Sequence, residues 1–169
     1  AVPAEGYMVD YWTVTQGKLG DTETTDHYQA DDLDVVDPVL TLEGLRNYTT
    51  VRVRFKEVQT NSVTLNADTG TAAITYVTPL TPYDDGKCNT NSAQVRAGGT
   101  VKMTLTPEAG YLPKGDLQKT ISMKINSDAQ VAVAEGGRTY TVTVRGLNSN
   151  LSLTMSDLFV KTYSITLPD

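Results

Sequence analysis

The sequence predicts an all-β protein built from tandem repeat modules. Three observations carry that expectation. Short runs of alternating apolar and polar residues recur between turns rich in Gly, Pro, Asn and Asp. No long amphipathic helical pattern interrupts them. Several motifs return about a hundred residues apart, at a spacing that suits arrays of similar modules.

Taken in order, Tyr11–Thr15 alternates as a short strand and Gln16–Asp21 reads as a turn. Asp21–Asp37 is an acidic loop holding Asp21, Glu23, Asp26, Asp31, Asp32, Asp34 and Asp37, with His27 among them. Val39–Glu43 reads as a strand, followed by a turn at Gly44–Asn47. Thr50–Lys56 puts Val51, Val53 and Phe55 on one face and Arg52, Arg54 and Lys56 on the other. Ser62–Leu65 is the next strand, with Ala72–Val77 expected to pair behind it.

Pro79–Ser92 reads as a long polar loop around the Asp84-Asp85-Gly86 turn. Val101–Thr106 is a strand, Tyr111–Leu117 a loop, and Ile121–Ile125 a strand by strict alternation. Asp128–Glu135 fits either a strand or one short helix. Thr139–Arg145 alternates cleanly, Leu151, Leu153 and Met155 mark another strand, and Tyr163–Leu167 is the last. Thr50–Lys56 and Thr139–Arg145 are the expected sheet edges. The cations of the first read foremost as protection against stray pairing, and second as a stripe able to dock an acidic loop.

The repeat has a register. Leu42-Glu43-Gly44-Leu45 matches Val144-Arg145-Gly146-Leu147, and Ser62-Val63-Thr64-Leu65 matches Ser164-Ile165-Thr166-Leu167, both at a spacing of 102 residues. Val51 and Val53 fall on Leu153 and Met155 at the same spacing. Pro3-Ala4-Glu5-Gly6-Tyr7 echoes Pro107-Glu108-Ala109-Gly110-Tyr111 at 104. The expected modules are residues 1–66, lacking their N-terminal part, and residues 67–169, with Ig-like sandwich packing. The alternative is a β-grasp-like module whose one short helix comes from Asp128–Glu135 or its surroundings.

Composition narrows the function. Apolar residues are 39% and charged residues 20% of the 169, which suits a folded chain. The net charge of −6 is concentrated early, with eleven acids against five bases up to Asn61 and nine of each beyond it. With a pI near 4.7, nucleic acid and anionic membranes are poor partners. Cys88, the lone cysteine, allows no internal disulfide and no cysteine-based metal cluster. No apolar run is long enough to span a bilayer.

Together, Tyr163-Ser164-Ile165-Thr166-Leu167, Gly98-Gly99-Thr100-Val101, Thr106-Pro107-Glu108-Ala109-Gly110-Tyr111, Tyr140–Val144 and Leu151–Met155 resemble bacterial cell-surface repeats of the divergent internalin-B B-repeat type. Gly6–Val14, with Tyr7 and Trp12, resembles that family's Gly-Tyr…Trp segment, and Thr50–Phe55 its closing strand. The pattern departs at Tyr111–Ile121, where no Trp follows Gly-Tyr. The resemblance implies a secreted or wall-attached protein of tandem β modules and carries no catalytic residues.

Candidate site residues are few. The acidic loop supplies the oxygen ligands Ca²⁺ takes, but lacks Asp-x-Asp-x-Asp-Gly spacing, so a solvated loop is the expectation. His27 and Cys88 form no recognisable triad or zinc set and read as a loop histidine and a surface thiol. Trp12, Tyr11 and Tyr7 suggest a sugar-stacking platform, although the resemblance makes Trp12 a core anchor. Lys102 and Lys124 share the Thr/Ser face, against a lysine crosslink, and the sequons at Asn47 and Asn150 carry no weight in a bacterial protein.

The expectation is a non-catalytic extracellular β segment of a large bacterial surface protein, acting as stalk or adhesive module. No catalytic, cofactor-binding or metal residue is assigned. The expected partners are neighbouring modules and a host or cell-surface protein or glycan. The alternative is an accessory carbohydrate-binding domain of a secreted glycan-processing enzyme.

Overall fold

Alternating segments become strands here wherever a neighbouring strand satisfies their backbone groups. The computed structural model describes residues 1–4, 6–17, 24–29, 39–45, 48–80 and 84–163, and most of them are in strands. The chain divides into two compact units, residues 1–58 with 80–85 and residues 59–79 with 86–169.

The first unit contains β1 (Tyr7–Gly17), β2 (Thr24–Gln29) and β3 (Tyr48–Glu57), in the antiparallel order β2-β1-β3. Val9 stands opposite Phe55, Trp12 opposite Val53 and Val14 opposite Val51, so these six share one face. Tyr11 and Thr13, opposite Arg54 and Arg52, lie on the other. The register shifts between Val9 and Tyr11, leaving Asp10 as a bulge residue whose carboxylate meets Lys56 Nζ at 3.2 Å.

The second unit begins with β4 (Thr60–Asn66), β5 (Gly70–Val77), β6 (Lys87–Thr90), β7 (Ser92–Arg96) and β8 (Gly99–Pro107). It continues with β9 (Tyr111–Pro113), α1 (Leu117–Ser122), β10 (Gln130–Gly136) and β11 (Thr139–Leu147). It closes with β12 (Leu151–Thr154), α2 (Met155–Leu158) and β13 (Phe159–Lys161). One sheet is antiparallel in the order β10-β11-β8-β5-β6, another runs β12-β4-β7, and β13 pairs with β9. The β4–β12 pairing is parallel.

Side chains of the two larger sheets meet in one cluster. Val63, Leu65, Leu151 and Leu153 come from one, Ile74, Val101, Met103, Leu105, Val142 and Val144 from the other, and Leu117, Ile121 and Phe159 join them. Each such side chain, fully buried, stabilises the fold by about 1.5–3 kcal/mol. Asparagines secure the connections. Asn61 Nδ2 donates to the Leu147 carbonyl at 3.1 Å, and Asn150 Oδ1 accepts from Ser62 N–H at 2.8 Å.

Several expectations are corrected. Ile121–Ile125 is not a strand: Asp116 caps α1 by accepting from Lys119 N–H at 3.1 Å, and Leu117 and Ile121 bury one helical face while Met123 is 72% exposed. The short helix therefore precedes Asp128–Glu135, which instead falls largely in β10, with Val131 and Val133 opposite Val144 and Val142. Ala72–Val77 pairs with β8 and β6 rather than with β4. The Pro79–Ser92 loop contains β6, the Tyr111–Leu117 loop contains β9, and the acidic loop contains β2. Met155 starts α2 instead of continuing a strand.

Val39–Glu43 is not in a strand. Thr139–Arg145 lies inside a sheet, between β10 and β8, whereas Thr50–Lys56 does sit on an edge strand. Beyond Tyr163, the segment Tyr163–Leu167 lies outside the described residues, as do Asn47 and most of the acidic loop.

Candidate functional site

The corner echoed in the sequence recurs as geometry. Gly6 and Gly110 take φ of 79° and 84°, left-handed values that side chains bearing a Cβ rarely adopt. Tyr7 N–H donates to Ala4 at 3.0 Å, and Tyr111 N–H to Glu108 at 3.1 Å. Gly6 then accepts from Val58 N–H at 2.8 Å, and Gly110 from Thr162 N–H at 2.7 Å. The flanking strands repeat the same register. Tyr7 opposes Glu57 and Val9 opposes Phe55, as Tyr111 opposes Lys161 and Pro113 opposes Phe159, every partner 104 residues from its counterpart.

The second motif behaves similarly. Gly44 and Gly146 have φ of 66° and 72°. The spacing changes from 102 residues at these glycines to 104 at the closing strands, and the extra residues of the second unit fall where α2 interrupts the path that β3 runs straight. The expected match of Val53 with Met155 is thereby displaced. Leu153 and Met155 are buried, while Val51 is 43% exposed.

The face that carries Val51 and Phe55 is the first candidate surface. Val9, Trp12 and Val14 on it are buried, whereas Phe55 is 38% exposed; Val39 and Leu45 are also exposed. The opposite face is cationic and aromatic. Tyr11, Thr13, Arg52 and Arg54 line a shallow depression of about 360 Å³, with Arg54 Cζ 6.0 Å from the Tyr11 ring centre.

A depression of about 270 Å³ in the second unit is lined by Asp116, Gln118, Glu135 and Tyr140 among others. Tyr140 O–H donates to Glu135 Oε1 at 3.5 Å, and its ring lies 5.4 Å from that of Phe159. Burial first, then the negative charge of Glu135, raises the Tyr140 phenol above its ordinary value.

Trp12 faces the apolar side of β1 and Tyr11 the opposite side, so the two do not form a common stacking platform. His27 stands on β2 across from Thr13. Asp26 is exposed, and among the described residues no group of three His, Cys, Asp or Glu side chains is placed to hold a metal ion. Cys88 is a half-buried thiol rather than a surface one, packing on the core with Sγ 3.4 Å from the Ile74 carbonyl. Lys102 lies 5.4 Å from the Tyr76 ring centre and Lys124 pairs with Asp157 at 3.2 Å, both away from the core. Asn150 is spent on Ser62.

Sequence reasoning missed the Asn126 clamp, whose Nδ2 donates to Gly146 at 3.3 Å while Oδ1 accepts from Asn148 N–H at 2.9 Å. The Gly146-Leu147-Asn148 turn was its one visible signal.

The fold thus defines a mostly β protein of two compact units sharing a repeated Gly-Tyr corner. No family model, curated protein or solved structure matches the chain. Among the described residues, no helix is long and apolar enough to cross a membrane.

Proposed function

We propose that this chain is a non-catalytic repeat segment of a large bacterial extracellular protein, working as a stalk or adhesive module at the cell surface or wall. The observation that supports the reading is the recurrence of one corner and one strand register 104 residues apart. Repeated β units suit a protein that sets distance or presents surface. For the second unit, Ig-like sandwich packing and a β-grasp-like arrangement are the two readings of the topology. The two-layer core favours the first, and the parallel β4–β12 pair with α1 favours the second.

Neighbouring modules are the first partners, and a host or cell-surface protein or glycan the second. The carbohydrate-binding alternative loses its aromatic platform because Trp12 is committed to the core. Labelling intact producing cells with an antibody to the chain tests the reading. Surface labelling removed by external protease is expected; recovery in the cytosol alone contradicts it.

A further inference from the structure

Resting on that surface-protein reading, we propose that the cationic face of the first unit binds a glycan bearing uronic acid residues, with a sugar carboxylate held by Arg52 and Arg54. Residues two apart on a strand share a side, so β3 sets Arg52, Arg54 and Lys56 along one face. The three differ in what they meet. Lys56 Nζ is neutralised by the Asp10 carboxylate at 3.2 Å. Both arginines are exposed, and among the described residues neither guanidinium meets a carboxylate. About 7 Å of strand separates the two, so one anionic group between them is reached from both sides. Arginine suits this task because its planar fork offers paired N–H donors to the two oxygens of a carboxylate.

What surrounds the arginines favours a sugar acid over a peptide. Thr13 stands opposite Arg52 and Tyr11 opposite Arg54, and all four line the depression of about 360 Å³. A hydroxyl and an aromatic ring thus lie beside the cations, as a uronic acid carries hydroxyls and a ring beside its carboxylate. β1 is paired on both sides, by β2 and β3, so its backbone is engaged within the sheet and adds no peptide strand here. Recognition rests on the guanidiniums and needs no stacking platform from the buried Trp12. The acid excess of the chain, net −6, works against dense polyanions, whereas pairing at contact persists because repulsion beyond about 10 Å is screened. The face therefore selects the spaced carboxylates of a glycan over polyphosphates.

The probe is a tetrasaccharide of alternating glucuronic acid and N-acetylglucosamine, titrated into the isotopically labelled chain at low ionic strength and followed by nuclear magnetic resonance. The amides of Tyr11, Thr13, Arg52 and Arg54 are expected to shift together. Arg52→Gln combined with Arg54→Gln is expected to weaken binding by about tenfold or more, with Trp12 fluorescence unchanged as the sign that the unit stays folded. Reducing the sugar carboxyls to alcohols, which needs no variant, is expected to weaken it as much. Absence of shifts with the tetrasaccharide, unchanged binding by the double variant, or equal binding of the reduced sugar overturns the proposal. An oligoglutamate peptide that binds as tightly as the tetrasaccharide also overturns it and assigns the face to an acidic protein. Binding is read on the purified chain and surface labelling on cells, so failure of the site is distinguishable from failure of the surface-protein reading.

Discussion

Phe55 and Phe159 occupy equivalent positions of a register that repeats after 104 residues, one opposite Val9 and the other opposite Pro113. Phe55 is partly exposed and Phe159 is enclosed by the core of the second unit. The same residue type at the same place thus has two energetic roles, set by what packs on it. Truncating Phe159 to alanine removes a fully buried ring and is expected to cost about 3–5 kcal/mol. Phe55→Ala is expected to cost about 1 kcal/mol or less in this chain, as partly exposed positions usually do. Urea unfolding of both variants checks the contrast.

Trp12 is the only tryptophan, and it is 9% exposed within the first unit. Its fluorescence therefore reports the first unit alone, while circular dichroism reports both. Blue-shifted emission in the native state is expected. Trp12→Ala is expected to unfold the first unit, at a cost of about 3–5 kcal/mol, rather than to remove a sugar-binding function.

Asp68 accepts from Ser156 N–H at 2.9 Å at the start of α2. Hydrogen bonds from Ser156, its side chain foremost, hold the carboxyl below the usual aspartate range against a smaller opposing effect of burial. A depressed folded-state value contributes stability that is present above the ordinary aspartate range and is lost as pH falls through the folded value. The stability gap between the parent chain and Asp68→Asn is expected to shrink steadily on acidification below about pH 4. Denaturant midpoints measured across that range check it.

Tyr140 is shifted the other way, upward, by burial and by Glu135. A raised folded-state value gives stability that is complete below the ordinary tyrosine range and lost as pH rises through the folded value. Spectrophotometric titration is expected to show a tyrosine ionising above the ordinary tyrosine range, and Glu135→Gln to bring it earlier. Tyr140→Phe removes this alkaline loss.

Gly110→Ala places a Cβ at φ 84°, a left-handed conformation, and is expected to cost about 1–2 kcal/mol. Gly6→Ala, at φ 79°, is expected to cost a similar amount in the first unit. Thermal unfolding of the two variants, followed by circular dichroism and Trp12 fluorescence, checks both.

How much was legible in the sequence depended on whether local pattern and tertiary neighbour agreed. Thr139–Arg145 and Val101–Thr106 read correctly because β11 and β8 bury the alternating face the sequence shows. Ile121–Ile125 misled because its alternation competed with a capped turn, and Leu117 and Ile121 gain more by sharing one helical face against the core. The Asp116 cap was a readable signal. Val39–Glu43 carries the pattern of a strand yet is not in one, because alternation alone does not place a segment in a sheet. The Gly-Tyr corner was legible because positive φ demands glycine in both copies. The partial exposure of Phe55 was not, since alternation gives a face but not what lies over it.

Scalar couplings across hydrogen bonds, measured by nuclear magnetic resonance, test the repeated register most directly. The register requires coupling from the Val58 amide nitrogen to the Gly6 carbonyl carbon, and from Thr162 to Gly110, both in one sample. Detection of both is the expected result. A Thr162 amide coupled to a carbonyl other than Gly110, with Val58 still coupled to Gly6, contradicts the shared geometry on which the account stands.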